Sequence, residues 1–233
     1  MAIIRDDFRE LLLKPARGEK TLFSLALTLQ KDHVECVLSL LTLANEFKQI
    51  PSKAPNPLMA STRLRWWMNQ MNPDSNSSGS SPLIQWIKSA WGDKFDDLSK
   101  TIITFIHSQL KVWSQITDKT PEMNHTGLIL LILSSVKHLY PQHIPELVLN
   151  AWAEKYVKIH DSPPSSQEQR PQRTFPVLLK DQKDLAFFDK LDYILDQQEN
   201  DQLRGQSLDH IQTKVYWYLF KYHLKKIRER LHF

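Results

Sequence analysis

Acidic residues at helical spacing are the first candidates for chemistry in this chain. Asp93 and Asp97 are four residues apart, with Asp96 beside them. At that spacing, two helical carboxylates lie one turn apart and can present oxygen atoms to one Mg²⁺ ion. These acids follow Gly92 in a polar stretch, however, which favours the solvated start of a helix over a metal site.

Two further acids, Glu46 and Asp161, each lie near the end of an apolar segment with helical character. Neither has a second acid one turn further along the chain. Ile50 stands four residues after Glu46, and Ser165 stands four residues after Asp161. Two single carboxylates can bind one divalent ion weakly, but they do not form a site for several ions.

Arginine and tryptophan are concentrated in the segment RLRWW, which begins at Arg63. Arg63 and Arg65 could contact an anion or form a surface ion pair, but the sequence favours a buried structural pair between these arginines and Glu46. Trp66 and Trp67 are adjacent, so on a helix their side chains point about 100° apart. We therefore expect one tryptophan in the core and the other partly exposed.

Several other kinds of site have no candidate residues. The chain has 5 glycines and neither a G-x-G-x-x-G nor a P-loop motif, so the usual nucleotide cradles are missing. Its 9 histidines are scattered and include no H-E-x-x-H pair, which argues against zinc. No G-x-S-x-G nucleophile elbow is present, so no serine is a candidate nucleophile for acyl hydrolysis. The single cysteine, Cys36, lies in an apolar run and is expected to be a small buried hydrophobe.

Helical periodicity is strong and strand signals are weak, so the sequence predicts an all-α fold. Apolar residues recur at three- and four-residue spacing at Leu22, Leu25, Leu29, Val34, Leu38 and Leu41. The segment Thr126–Tyr140 is apolar nearly all round and is placed at the centre of a helix bundle. Further helices are predicted over 83–91, 95–116, 145–159, 178–196 and 207–231.

Turn and capping residues predict the breaks between these helices. A break is expected over Gln30–His33, with Asp32 capping the next helix. Pro51, Pro55 and Pro57 are expected to end that helix, and Ser61 or Thr62 to cap the helix that begins at RLRWW. Flexible loops are predicted near 72–82 and 161–176. With these loops, residues 1–233 form a single domain.

The order of segments between Leu38 and Gln70 resembles the N-terminal signature of the squalene/phytoene synthase family. An apolar helix ending near an acid, LSLLTLANEF, is followed by the loop KQIPSKAPNPLMAST and then by RLRWW. Glu46 corresponds to the family's first acidic helix residue, and Arg63, Leu64, Trp66 and Trp67 match its second helix. LVLNAWAEKYVKIHD and FPVLLKDQKDLAFFDKL resemble later family segments more faintly.

This resemblance implies a single-domain multi-helix bundle with the isoprenoid (terpenoid) synthase fold. Members of the family transfer prenyl groups, using Mg²⁺ held by paired acids to stabilise the leaving diphosphate. Because each acidic motif here keeps one acid and lacks its partner, the resemblance implies a non-catalytic member without a metal or other cofactor. Such a branch includes a mitochondrial factor that helps assemble respiratory complex I.

The implied role is accessory or lipid-binding. The implied remnant cavity would be lined by Glu46, Arg63, Trp66, Trp67, Asn150 and Asp161.

Two alternatives remain. The first is an active prenyltransferase that uses Mg²⁺ held by displaced acids such as Asp93, Asp96 and Asp97. The second is a helical module that binds RNA or a membrane surface. It rests on the net charge of +4 and on the C-terminal run KVYWYLFKYHLKKIRERLHF, which interleaves aromatic and basic residues. An amphipathic packing helix is the favoured interpretation of that run.

The expected partners follow from these readings. They are an isoprenoid or other lipid, or a protein, and no nucleic acid is expected. The longest apolar stretch, 127–136, is about half of the roughly 20 residues that a membrane span requires. The first ten residues carry acids early and lack the apolar core of a signal peptide, so a cytoplasmic location is expected.

Overall fold

A computed structural model describes residues 19–54, 56–72, 81–115, 122–140, 144–161 and 186–203, together with positions 214, 215, 218, 219, 221 and 222. Throughout these ranges the chain is helical and contains no strand. The predicted all-α class is therefore confirmed for the described part of the chain.

The helices are α1 Lys20–Ala26, α2 Lys31–Lys53, α3 Pro57–Met71, α4 Pro82–Trp91, α5 Phe95–Trp113, α6 His125–Val136, α7 Glu146–Asp161 and α8 Ala186–Leu203. Short 3₁₀ turns over Gly92–Lys94 and Lys137–Leu139 link α4 to α5 and extend α6.

Helices α2 and α6 form the centre of the bundle. Helix α2 packs against α1, α3, α4 and α6, and α6 packs against α5 and α7 as well. Helix α8 closes the bundle against α7 and α1, while α3 lies between α2 and α5. Most apolar side chains of α6 are buried, among them Leu128, Ile132 and Val136, which confirms its predicted central position. The buried apolar residues of the described helices form a single cluster.

Helix α3 begins earlier than the sequence interpretation placed it. Asn56 is its N-cap, and the Asn56 side chain accepts a hydrogen bond from the backbone N–H of Met59 at 2.9 Å. Pro57 occupies the first helical position, where its missing N–H costs nothing and its fixed φ suits the helix. The prediction that Ser61 or Thr62 caps this helix is therefore wrong, since both lie inside it.

Helix α2 differs from its prediction at both ends. It follows the N-cap Gln30, which makes no side-chain capping bond, so Asp32 lies in the first turn and does not cap the helix. At the other end the helix continues through Pro51 to Lys53, and the N–H of Ala54 still reaches the carbonyl of Ile50 at 3.0 Å. A proline in the last turn removes one hydrogen bond but does not stop the turn from closing.

Most of the remaining described boundaries agree with the predictions to within a few residues, but α8 continues to Leu203, seven residues beyond its predicted end at Asp196. Helix α4 starts at Pro82, one residue before the predicted start, with Ser81 as its cap. The interiors of the predicted loops near 72–82 and 161–176 lie outside the described residues. So do most of the predicted helix over 207–231 and the first part of the helix predicted over 178–196.

Candidate functional site

The candidate residues from the sequence lie on three helices. Glu46 is half-buried on α2, Asn150 is half-buried on α7, and Arg63 is exposed on α3. Asp161 is the last residue of α7, and its side chain lies outside the described part of the structure. Helix α3 packs against α2 and α5, whereas α7 packs against α6 and α8. The assignment of these residues to one ligand cavity stays a prediction.

The two tryptophans divide between core and surface, as their spacing predicts. Trp67 is 5% exposed, and its ring meets that of Phe47 on α2 edge-on, with the centroids 6.0 Å apart. Trp66 is 44% exposed and lies edge-on to Trp67 at 4.9 Å. The aromatic contact between Phe47 and Trp67 fixes the face that α3 turns towards α2.

The predicted ion pair of Arg63 or Arg65 with Glu46 is not formed. None of these three residues takes part in any ion pair that joins two described residues. The reason is the rotation of α3. Leu64 is fully buried, and the preceding residue points about 100° away from it, out of the bundle. Ile50, which holds the position one turn after Glu46, is 1% exposed and belongs to the core.

The displaced acids form the solvated helix start that the sequence favours. Asp93 lies in the 3₁₀ turn, and Asp96 and Asp97 lie in the first turn of α5. All three are exposed, and Asp97 pairs with Lys100 at 3.2 Å. Within the ranges that the structure covers, no three His, Cys, Asp or Glu side chains lie close enough together to share a metal ion.

The outward face of α3 combines large apolar side chains with arginines. Leu58 is 75% exposed, Met59 is 52% exposed and Trp66 is 44% exposed. Arg63 and Arg65 are exposed on the same helix. Such a grouping on one surface helix is typical of a contact face, because single exposed hydrophobes are ordinary whereas a cluster of them is not.

The misplaced start of α3 explains why the sequence pattern did not reveal its outward face. If the helix is predicted to begin at Arg63, then Leu58 and Met59 are assigned to the preceding loop and have no position on a helical face. The Asn-Pro pair at 56–57 is the signal that identifies the true start. From that start, the helical period alone places Leu58, Met59 and Trp66 on one side.

Comparison with family models, curated proteins and solved structures finds no match to this chain. Among the described helices, none combines the length and apolar character needed to cross a bilayer.

A second polar feature lies inside the bundle, around the carboxylate of Glu19. One oxygen of Glu19 accepts a hydrogen bond from the hydroxyl of Tyr156 at 2.8 Å. The other lies 3.0 Å from the ammonium of Lys48 and 3.4 Å from Nε2 of His125. These contacts join the start of α1 to α2, α6 and α7.

The pKa of Glu19 reflects this environment. Burial alone raises the pKa of the carboxyl group, but the opposing effects of His125, Lys48 and Tyr156 are larger together and lower it to about 2. Glu19 is therefore ionised at neutral pH and acts as a hydrogen-bond acceptor.

The network continues from Tyr156 towards α8. The ring of His160 stacks on that of Tyr156 at 4.0 Å, and its Nε2 lies 3.0 Å from the hydroxyl of Thr21. Gln198 donates to the same hydroxyl at 3.1 Å. Together these contacts connect α1, α7 and α8, so we interpret the network as an internal brace of the bundle.

The few described positions near the C terminus agree with the packing interpretation. Val215, Tyr218, Leu219 and Tyr222 are buried, while Lys221 is exposed. This is the apolar face predicted for an amphipathic helix that packs on the bundle.

Proposed function

We propose that this chain is an accessory protein that binds a lipid surface through the outward face of α3. In this proposal it shares the helical design of squalene/phytoene synthases but does not transfer prenyl groups. The observation that carries the proposal is the exposure of Leu58, Met59 and Trp66 on a single helix that also presents two arginines.

The composition of this face suits the boundary between water and lipid. Helices that lie in a bilayer interface place leucine and tryptophan in the acyl region and arginine towards the headgroups. Tryptophan prefers this boundary because its ring is apolar and its N–H is polar. Burying the exposed parts of the three apolar side chains is worth on the order of 3–4 kcal/mol.

The loss of prenyl transfer is supported by the surroundings of Glu46. The position one turn further on, where a second carboxylate would complete an acidic pair, holds Ile50, which is 1% exposed and packed in the core. A carboxylate there would pay a large desolvation cost without a nearby ion. The bundle is therefore packed for stability at the point where a paired-acid site would lie.

A vesicle flotation experiment tests this proposal. The full-length chain is mixed with vesicles of phosphatidylcholine and phosphatidylglycerol and centrifuged through a density gradient. We expect the chain to float with the vesicles, and a variant carrying Leu58→Ser, Met59→Ser and Trp66→Ser to remain in the dense fraction.

A matched control removes exposed apolar side chains elsewhere. Val112 is 51% exposed on α5 and Leu147 is 80% exposed on α7. A variant with serine at both positions should float like the unaltered chain. If the unaltered chain stays in the dense fraction with every vesicle, or if the control and α3 variants lose flotation equally, the proposal is wrong.

A further inference from the structure

We infer that the lipid surface bound by α3 is anionic, and that Arg63 and Arg65 recognise its phosphate-bearing headgroups. This inference rests on the proposed function and names the chemistry of its partner. It follows from where the two arginines lie relative to the exposed apolar side chains.

The arginines lie on opposite margins of the apolar stripe. With about 100° between successive residues, Leu58, Trp66 and Met59 fall within an arc of roughly 100°, which also contains the exposed polar residues Thr62 and Asn69. Arg65 lies about 20° outside the Leu58 edge of this arc, and Arg63 lies about 40° outside the Met59 edge. A helix lying on a bilayer with this stripe downward would direct both guanidinium groups sideways and up towards the headgroups.

The charged side chains of α3 are all basic. Its sequence, PLMASTRLRWWMNQM, contains no acid, so the helix itself has no carboxylate to neutralise the arginines. Neither Arg63 nor Arg65 forms an ion pair with any residue in the described part of the chain. Both guanidinium groups are exposed and available to a phosphate, which guanidinium can bind through two parallel hydrogen bonds.

The described acids on the packing partners of α3 include Glu46 on α2 and Asp96 and Asp97 at the start of α5. Glu46 is half-buried beside Phe47, whose ring contacts Trp67. Ser99 on α5 donates to the carbonyl of Met71 at 2.7 Å, which places Asp96 and Asp97 near the C-terminal end of α3. Leu58 lies about 20 Å away along the helix axis, at 1.5 Å per residue. Repulsion of an anionic surface by Asp96 and Asp97 is therefore weakest at the N-terminal end of α3, where Leu58 and Met59 lie.

The test compares two vesicle types and two arginine variants. Vesicles of phosphatidylcholine alone are compared with vesicles in which one-third of the lipid is phosphatidylglycerol. Each basic residue close to an anionic membrane surface strengthens binding by roughly fivefold. Removing two should therefore weaken binding by roughly 20- to 30-fold. We therefore expect a variant carrying Arg63→Gln and Arg65→Gln to bind the anionic vesicles by that factor more weakly than the unaltered chain.

Two control variants separate charge from other effects. Replacing both arginines by lysine preserves the charge and should leave binding within about twofold. Lys20 on α1 and Lys158 on α7 are exposed on helices that are not packing partners of α3, and changing both to glutamine removes the same net charge away from α3. That variant should bind like the unaltered chain. Rising salt should weaken binding to the anionic vesicles, because exposed charges are screened.

The outcomes distinguish this inference from the proposed function. Equal binding to neutral and anionic vesicles, unchanged by Arg63→Gln and Arg65→Gln, would overturn the inference and leave lipid binding standing. Binding to neither vesicle would overturn both. A dimer in sedimentation experiments that the change Trp66→Ser dissociates would identify α3 as a contact between copies of the chain, and would likewise overturn both.

Discussion

Replacing Glu19 by glutamine should destabilise the protein in a way that depends on pH. In the folded chain the pKa of this carboxyl group is lowered from 4.5 to about 2. At roughly 1.4 kcal/mol per pH unit, that difference corresponds to about 3 kcal/mol of stability. The Glu19 side chain is only 14% exposed, so solvent screening removes little of this stabilisation. Lys48 is 49% exposed, so its ion pair with Glu19 contributes less than a buried pair would.

The sign follows from the direction of the pKa change. A carboxyl group whose pKa is lower in the folded state binds protons more readily when unfolded. Its contribution is therefore fully present above about pH 4.5 and is lost as the pH falls towards 2. Glu19→Gln should lower the free energy of unfolding by about 2–3 kcal/mol at pH 7, with little difference from the unaltered chain remaining near pH 2.

Urea unfolding followed by circular dichroism measures this difference at a series of pH values. Other acids also titrate in this range, but the comparison of the two proteins isolates Glu19. Glu154 is exposed on α7, and Glu154→Gln serves as a matched control that should change the free energy of unfolding by less than about 0.5 kcal/mol. A Glu19→Gln variant as stable as the unaltered chain at pH 7 would refute the reasoning. A destabilisation that stays constant from pH 7 to pH 3 would do the same.

Three further predictions test the packing and the proposed loss of catalysis. Trp67→Ala should cost about 3–5 kcal/mol in urea unfolding because the ring is buried, whereas Trp66→Ala should cost less than about 1 kcal/mol; equal costs would contradict the assigned rotation of α3. Asn56→Ala should cost about 1 kcal/mol through loss of the helix cap, and Ser61→Ala should be nearly neutral; the reverse order would place the helix start at Ser61. Incubation with farnesyl diphosphate and Mg²⁺ should release no diphosphate above a protein-free control, and protein-dependent release would contradict the proposed loss of prenyl transfer.

Local patterns in the sequence were sufficient to predict the helices and much of the core. The spacing of apolar residues identified the helical segments. The 100° step between neighbours correctly placed one of the two tryptophans inside the bundle. Cys36 is 4% exposed, as its apolar surroundings predicted, and burial raises the pKa of its thiol to about 11. Each of these features depends on residues within a turn or two of one another.

The start of α3 was predictable in principle but was placed wrongly. Three prolines within seven residues suggested a continuous loop, although Pro51 is tolerated in the last turn of α2 and Pro57 in the first turn of α3. This error hid the outward face of α3, since it left Leu58 and Met59 without a helical position.

The Glu19 network could not be predicted from local sequence. Glu19 and Tyr156, which hydrogen-bond to each other, are 137 residues apart in the chain. No periodic or capping signal relates two such residues, because their contact depends on how α1, α6 and α7 pack. Contacts of this kind follow only once the tertiary arrangement of the helices is known.

Fluorescence quenching by lipids with brominated acyl chains tests the central claim most directly. Bromine quenches only those indole rings that enter the bilayer, and comparison with a Trp66→Phe variant separates Trp66 from the other six tryptophans of the chain. We predict quenching of the unaltered chain by brominated anionic vesicles, and the loss of most of that quenching in a Trp66→Phe variant that still binds them. Equal quenching in both proteins, or none in the unaltered chain, would contradict docking through α3.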